Sequence, residues 1–150
     1  MPESAGTGTY LGIDYGRKGI GVAVGQRYTG TARALETIRA KNEEHVWMSL
    51  GRLVKTWLPE AFVLGTPVPL DASQIENPMI KEIARFKGDL ERHFGLPVHL
   101  MDEALSTRES QSLFYAERPK RSVDFRKVKD QMAAALILET WLSHTANQGS

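Results

Sequence analysis

Hydrophobic and polar residues alternate with different periods along the 150-residue chain, and each period predicts a type of element. Short continuous apolar runs bounded by glycine, proline or polar residues predict five strands. These strands are residues 9–14, 19–26, 33–38, 61–65 and 98–101. Apolar residues that recur every three or four positions predict helices over 43–58, 78–94, about 107–116 and 130–144.

Terminal signals support the helical pattern. Pro59 ends the first predicted helix, because proline cannot continue a helix beyond its first turn. Ser106 and Glu109 have the spacing of a capping box, which predicts that the third helix begins near Thr107. The apolar stripe of the first helix consists of Val46, Leu50, Leu53, Val54 and Trp57.

The order of the elements predicts an α/β fold with a mixed sheet of five strands and helices on both faces. A short glycine turn at 16–19 joins the first two strands, which predicts an antiparallel hairpin. Right-handed crossovers through the next two helices then place the first strand centrally, beside the strand after the first helix. We expect a single domain over residues 9–144, with flexible tails at 1–8 and 145–150.

Three carboxylates stand at the ends of predicted elements. Asp14 closes the first strand and Glu103 follows the fifth, so both lie at one edge if these strands run parallel. Asp130 heads an apolar stripe on the last helix, so its side chain is expected to face the sheet. That stripe continues through Ala133, Ala134, Ile137, Leu138 and Trp141. These positions make Asp14, Glu103 and Asp130 the candidate catalytic residues.

Clustered carboxylates predict a cation site, because burying several unpaired negative charges together is unfavourable. A site that contains only oxygen ligands is typical of Mg²⁺ or Mn²⁺. Simpler interpretations stay open for each acid by itself. Asp14 would also suit a turn, and Asp130 would also suit the first turn of a helix. Asp102 competes with Glu103, because adjacent residues of an extended chain point in opposite directions.

Basic residues are concentrated just before Asp130, in a segment that we predict to be a loop over 117–127. A charge run of this kind is usually a solvated surface segment. Its position beside the acids also suits contacts with a phosphate backbone. The candidate nucleic-acid-binding residues are Arg118, Lys120, Arg121, Arg126, Lys127 and Lys129, with Arg17, Lys18 and Arg108 flanking the same edge.

Composition narrows the function classes only slightly. The net charge of +1 is neutral on the question of nucleic-acid binding, and the apolar and charged fractions are those of an ordinary globular protein. The absence of cysteine excludes a disulfide framework and thiolate zinc sites. No apolar stretch is long enough to span a bilayer, and the first residues lack the features of a secretory signal.

Several motifs together identify a family resemblance that covers nearly the whole chain. The chain resembles the YqgF/RuvX family, which is described both as pre-16S rRNA nucleases and as Holliday junction resolvases of the RNase H-like fold. The D-x-G hairpin followed by TGTAR is specific to the family, whereas D-x-G alone would be a weak signal. The matching stretches are GIDYGRKGIGVAVG, TGTARALETI, VLGTP, DEALSTRES and KVKDQMAAALILETWL.

The resemblance implies roles for the same three acids. Asp14 matches the aspartate of D-x-G, Glu103 the glutamate of the family's D-E-R-L-S-T, and Asp130 the aspartate at the last helix. It implies that they bind Mg²⁺ or Mn²⁺ for catalysis in an RNase H-like fold. It also implies a cytoplasmic bacterial setting and a role in maturing the 5′ end of 16S rRNA.

The sequence departs from the family pattern at two places. Ala104 replaces the usual arginine of D-E-R-L-S-T, which removes a cation that would contact a phosphate or a carboxylate. The loop at 68–72 also differs from the usual pattern after Gly-Thr-Pro, so its substrate contacts are expected to differ. Neither departure involves the three acids.

The expected function is metal-dependent hydrolysis of phosphodiester bonds in pre-16S rRNA or a ribosomal precursor particle. A Holliday junction resolvase acting on branched DNA is one alternative, and a non-catalytic RNA-binding or ribosome-assembly module is another. An ATP-binding domain of the actin, sugar-kinase or Hsp70 type also starts with a D-x-G hairpin. Such proteins need two of these domains, whereas we expect one here. No membrane partner is expected, and both a monomer and a homodimer stay open.

Overall fold

One five-stranded mixed sheet forms the centre of the protein. The computed structural model describes residues 7–66, 78–103, 108–116 and 125–149. The strands follow the order β3-β2-β1-β4-β5, with β1, β2 and β3 antiparallel and β1, β4 and β5 parallel. This arrangement confirms the predicted α/β class and the central place of β1. The strands are β1 Thr9–Asp14, β2 Gly19–Gln26, β3 Thr31–Arg39, β4 Ala61–Thr66 and β5 Val98–Asp102.

Helices cover both faces of this sheet, as the sequence predicts. Residues of α1 and α2 pack on one face, and residues of α3 and α4 pack on the other. No helix within the described ranges combines the length and hydropathy needed to cross a bilayer. The helices are α1 Glu43–Trp57, α2 Pro78–Phe94, α3 Arg108–Ala116 and α4 Phe125–Gly149.

Local signals set the ends of α1. The Asn42 side chain accepts a hydrogen bond of 2.8 Å from the main-chain N–H of His45, which caps the first turn. Leu58 adopts a left-handed conformation with φ of 48°, and the following Pro59 prevents the helix from continuing. These caps fix the direction in which the chain enters β4.

The last helix is longer than the sequence analysis predicts. The prediction was a basic loop over 117–127 and a helix over 130–144, but α4 begins at Phe125 and ends at Gly149. Lysine, arginine and glutamine favour helices, and the segment contains no glycine or proline before Gly149. Part of the predicted loop and most of the predicted C-terminal tail are therefore helical. The other bounds differ from the prediction by two residues or fewer.

Strand alternation separates the core into two layers. Leu11 and Ile13 of β1 pack with apolar residues of α1 and α2 on one face. Tyr10 packs with Leu138 and Leu142 of α4 on the other face. The second layer also contains small residues, including Ala23 and Ala134, where α4 lies close to the sheet.

Glycines determine how closely α4 approaches the sheet. A Cβ atom added to Gly12 would lie 2.8 Å from Cβ of Leu138, and one added to Gly25 would lie 2.8 Å from its Cδ2. At Gly21, an added Cβ would overlap the main-chain oxygen of Asp130. Real Cβ contacts are longer than this, so larger residues at these positions would force α4 away from β1 and β2.

We predict that Gly21→Ala lowers the free energy of unfolding by about 3 kcal/mol, because the new methyl group overlaps the α4 main chain. The matched control is Gly51→Ala in α1, where an added Cβ meets nothing within 4 Å. That control should raise the unfolding free energy by about 0.5–1 kcal/mol, since alanine favours helices. Urea denaturation followed by circular dichroism measures both, and equal stabilities of the two variants would contradict the close contact.

Candidate active site

Asp14 lies at the carboxyl end of the central strand and faces α4. Because side chains alternate along β1, Asp14 points to the same side as Tyr10 and Gly12, which both contact α4. Its cross-strand partner is Gly21 of β2. A residue at the end of a central strand has little freedom to move, so the position of this carboxylate is set by the sheet.

Glu103 directly follows β5 at the same edge. On β5, Val98 packs with the α1 and α2 layer, whereas His99 stacks on Trp141 of α4 and Met101 packs with the α4 layer. Alternation from Met101 places Glu103 on the α4 face and Asp102 on the opposite face.

Gly65 gives independent evidence for this orientation. A Cβ atom added there would lie 3.4 Å from Oε2 of Glu103 and would overlap the side chain of Ile137 on α4. The carboxylate of Glu103 and the α4 side chain therefore approach the same point of β4.

Asp130 is brought to this edge by the close contact of α4 with β2. Its main chain lies against Gly21, the strand partner of Asp14. Its side chain extends over the β1–β2 turn, where Oδ2 lies 3.3 Å from the position of a Cβ added to Gly19. The three predicted acids thus meet at one edge and on one face of the sheet.

The acids interact electrostatically across this edge. Burial raises the pKa of Asp14 to about 7, and the negative charges of Glu103 and Asp130 contribute to this increase. Burial also raises the pKa of Glu103, with a further contribution from Asp102. Within the described parts of the chain, no group of three potential ligands is already arranged to hold a metal ion.

The predicted basic residues within the described ranges lie on several different elements, whereas the three acids lie together at one edge. Arg17 is exposed and forms an ion pair with Glu82 of α2, with its Nε donating to Oε2 at 2.8 Å. Lys18 is exposed, and its main-chain oxygen accepts a hydrogen bond from the N–H of Ala40. The main chain of Arg108 begins α3.

The remaining basic residues fall in two groups. The backbone of three of them belongs to the first turns of α4, which brings that part of the chain close to Asp130. These three are Arg126, Lys127 and Lys129. Three others lie outside the described residues, namely Arg118, Lys120 and Arg121. Ala104 and the divergent loop at 68–72 also lie outside the described residues.

Glu82 and Thr66 are neighbours of this edge that the sequence analysis did not select. Glu82 accepts from Arg17 and, at 3.4 Å, from the hydroxyl of Tyr15, although 65 residues separate it from Arg17. Thr66 is buried at the end of β4 and pairs with Asp102. The end of the predicted strand near Thr66 is a signal in the sequence that could have placed this residue at the same edge. No local pattern in the sequence connects Glu82 to the first hairpin.

Comparisons with known proteins identify the family of the chain and its fold. A family model described as "RuvX: Holliday junction resolvase" matches residues 8–144. The chain is 46% identical over 143 residues to a protein from Methylococcus capsulatus, covering 95% of this chain and 93% of that protein. It is 44% identical over 133 residues to one from Azotobacter vinelandii, covering 89% and 92%. Both relatives carry the name "Putative pre-16S rRNA nuclease".

Solved structures share the fold at low sequence identity. RuvC from T. thermophilus in complex with a Holliday junction substrate has a TM-score of 0.63 and 17% identity, covering 95% of this chain and 97% of that one. The Fowlpox virus resolvase in complex with Holliday junction DNA has a TM-score of 0.50 and 12% identity, covering 90% and 99%. These likenesses show the RNase H-like fold.

We predict that the metal-free protein becomes less stable as the pH rises from about 4 to about 7. The folded state keeps the Asp14 proton over a range in which the unfolded chain, with the ordinary pKa of 3.8, has lost it. The loss attributable to Asp14 is up to about 4 kcal/mol, from a shift of about three pH units.

The Asp14→Asn variant should lose this part of the pH dependence and become more stable than the wild type at pH 8. Urea denaturation in EDTA at pH 5 and pH 8 measures the effect. Glu91→Gln, which removes a carboxylate paired with Lys87 on the surface of α2, should retain the wild-type slope. Parallel pH profiles for wild type and Asp14→Asn would contradict the shift.

Proposed function

The chain belongs to the RuvX family, and from this premise we propose that it is a nuclease that hydrolyses phosphodiester bonds in precursor 16S rRNA. The supporting relatives named as pre-16S rRNA nucleases match at 46% and 44% identity over most of their length. The observation that carries the proposal is the convergence of three carboxylates on one face of one sheet edge. The substrate would be the free precursor or a ribosomal precursor particle, which places the protein in the cytoplasm.

The three acids are proposed as both the catalytic and the metal-binding residues. Their chemistry fits a hard divalent cation, since Asp14, Glu103 and Asp130 offer only carboxylate oxygens. Burial, together with the negative charges of Glu103 and Asp130, raises the pKa of Asp14, and a bound cation would offset both effects. Bound Mg²⁺ or Mn²⁺ would supply a nucleophile from water and stabilise the leaving oxygen of the phosphodiester.

The protein itself supplies rigid placement of these groups. The hydrogen bonds of β1 to β2 and β4 hold Asp14 in the sheet centre, and contact at Gly21 holds Asp130 above the first hairpin. Fixed ligands need little reorganisation when charge develops in the transition state. Main-chain contacts therefore fix the positions of two of the three acids, Asp14 and Asp130, in advance.

Cations around the edge are proposed to hold the phosphate backbone of the substrate. The carboxylates themselves repel a polyanion, so affinity must come from basic groups outside the acid cluster. Phosphate contacts of this type orient the strand and do not read its sequence. The proposed contact residues are Arg17, Lys18, Arg108, Arg118, Lys120, Arg121, Arg126, Lys127 and Lys129.

Cleavage of branched DNA is the second candidate, favoured by the description of the matching family model as a Holliday junction resolvase. Cutting both strands of a junction requires two active sites, which a two-fold symmetric homodimer would provide. A monomer would suffice for trimming an RNA end. The likeness to RuvC does not separate these substrates, because fold similarity alone does not determine function.

We predict that Asp14→Asn, Glu103→Gln and Asp130→Asn each slow cleavage on the order of a thousand-fold, because each removes a charged ligand. Asp102→Asn is the matched control, since it removes the adjacent carboxylate on the opposite face and should change the rate less than about tenfold. The assay follows cleavage of a precursor 16S 5′ fragment and of a four-way DNA junction with Mg²⁺ or Mn²⁺.

The outcomes separate the candidates. A wild-type protein that cuts neither substrate overturns the nuclease proposal, and one that cuts only the junction replaces RNA with branched DNA. Wild-type rates in Asp14→Asn would show that the acids are not catalytic. Equal losses in Asp102→Asn and Glu103→Gln would remove the distinction between the two faces.

A further inference from the structure

A cleft lies on the face of β1 opposite the three carboxylates. It has a volume of about 420 Å³ and opens between the β1–β2 turn, the first half of α1 and α2. This volume is within the range of small-molecule sites. Its walls combine three aromatic side chains with a few charged groups, a combination that suits a nucleotide. The residues used below are Tyr15, Arg17, Trp47, Glu82, Arg85 and Phe86.

The cleft and the acids are next to each other along the chain. Asp14 and Tyr15 are consecutive, so their Cα atoms are about 3.8 Å apart. Asp14 faces α4, whereas Tyr15 packs against the layer formed with α1 and α2. Gly16 follows in the turn and presents no side chain between the two faces. A strand of nucleic acid that crosses this turn would therefore meet the acids on one face of the sheet and Tyr15 on the other.

We propose that this cleft binds one unpaired nucleotide of the substrate strand, beside the phosphodiester that is cleaved. The base would stack on Tyr15, and its phosphate would pair with Arg17. This inference rests on the proposed nuclease function and adds a preference for single-stranded segments near the cleavage position.

Packing fixes the aromatic surface of the cleft in advance. The rings of Tyr15 and Phe86 lie 4.8 Å apart, and the Tyr15 hydroxyl donates to Glu82. Trp47 is already stacked between neighbours, with ring centroids 5.5 Å from Phe86 and 4.0 Å from His93. Tyr15 and Trp47 are both partly exposed, but Trp47 is already stacked on two rings, so Tyr15 is the ring better placed to receive a base. Stacking on a fixed aromatic ring is a general way to bind single strands.

An unpaired base is the occupant that fits this geometry. In a duplex, both faces of each base are stacked and its edge is paired, so it cannot enter a cleft lined by aromatic rings. Carboxylates at the rim, including Glu82, would disfavour a bare phosphate that brings no base to stack on the rings. They can instead accept hydrogen bonds from the N–H groups of a base, including the ring N–H of uracil.

Glu82 would compete with the substrate phosphate for the Arg17 side chain. The Arg17 side chain is 59% exposed and pairs with Glu82, whose side chain is 33% exposed. An ion pair this accessible contributes little to stability, so a phosphate group can replace Glu82. Arg85 provides a second cation at the rim. Removing this particular acid should therefore tighten binding by more than removal of another surface acid does.

The first test measures binding without cleavage, by fluorescence anisotropy in EDTA. The probes are a labelled eight-nucleotide oligouridine and a blunt RNA duplex of the same length. Tyr15→Leu should weaken binding of the single strand about tenfold, whereas Tyr15→Phe should stay within about twofold of wild type. Binding of the duplex should be unchanged. Wild-type affinity in Tyr15→Leu, or an equal loss for strand and duplex, would overturn the proposal.

The second test uses matched pairs on α2. Glu82→Gln should tighten single-strand binding about threefold, and Glu91→Gln, the removal of an acid outside the cleft, should not. Arg17→Gln should weaken binding about threefold or more, with Lys87→Gln as the control for loss of one cation. An unchanged or weaker affinity in Glu82→Gln would overturn the competition between Glu82 and phosphate.

A third measurement needs no variant, so it stands even if Tyr15→Leu fails to fold. Wild-type protein is photo-crosslinked to a single strand that contains 5-iodouridine, and the modified residue is identified by mass spectrometry. Crosslinks should map to Tyr15, and crosslinks found only outside the cleft would overturn the proposal. These readouts do not require cleavage. If the protein cleaves no substrate but still binds single strands through Tyr15, the nuclease function is refuted and the nucleotide-binding cleft is supported. If it cleaves substrate but binds single strands without Tyr15, the cleft is refuted and the nuclease function is supported.

Discussion

The approach of the α4 main chain to Gly21 of β2 is the contact on which the rest of the site depends. No side chain separates the two backbones at this point, because even a methyl group would overlap the oxygen of Asp130. The same contact places Asp130 beside the strand partner of Asp14. Gly12 and Gly25 extend the contact along the helix, so a small-residue surface on the sheet sets the position of a catalytic candidate. The same close packing of α4 on the sheet therefore determines the geometry of the site.

Concentrating carboxylates at this edge opposes folding, and the rest of the sheet compensates for it. Burial and neighbouring charges raise the pKa of Asp14 to about 7, so ionising it in the metal-free protein is unfavourable. The apolar layer that includes Leu11 and Ile13 lies directly behind the site. This layer stabilises the strand ends while the charged groups repel one another. Such local conflicts between stability and charge are typical of functional sites.

The two faces of β1 have different chemical characters at their shared end. The α4 face carries acids suited to a cation, and the opposite face carries an aromatic cleft with an exposed arginine that pairs with Glu82. The end of β1 and the turn that follows it connect them within four consecutive residues, Asp14 to Arg17. Under the proposed function, cleavage and substrate selection would take place on opposite faces of the same strand end.

The sequence by itself determined the strands, the central position of β1 and the three acids at element ends. Those features depend on local apolar patterns and on the rule that parallel strands end at one edge, so they can be derived without coordinates. The start of α4 is an exception, because the charge run before Asp130 predicts a loop although its lysine and arginine residues favour the helix that begins at Phe125.

Only the tertiary structure decided which of two adjacent acids faces α4, because the phase of alternation in β5 is set by packing of His99 and Met101. It also decided the partner of Arg17, since Glu82 is 65 residues away and no local pattern links them. The close contact between Gly21 and α4 is also visible only in the tertiary structure. Each of these features depends on distant segments meeting in space, and the local periodicity of a chain carries no information about such meetings.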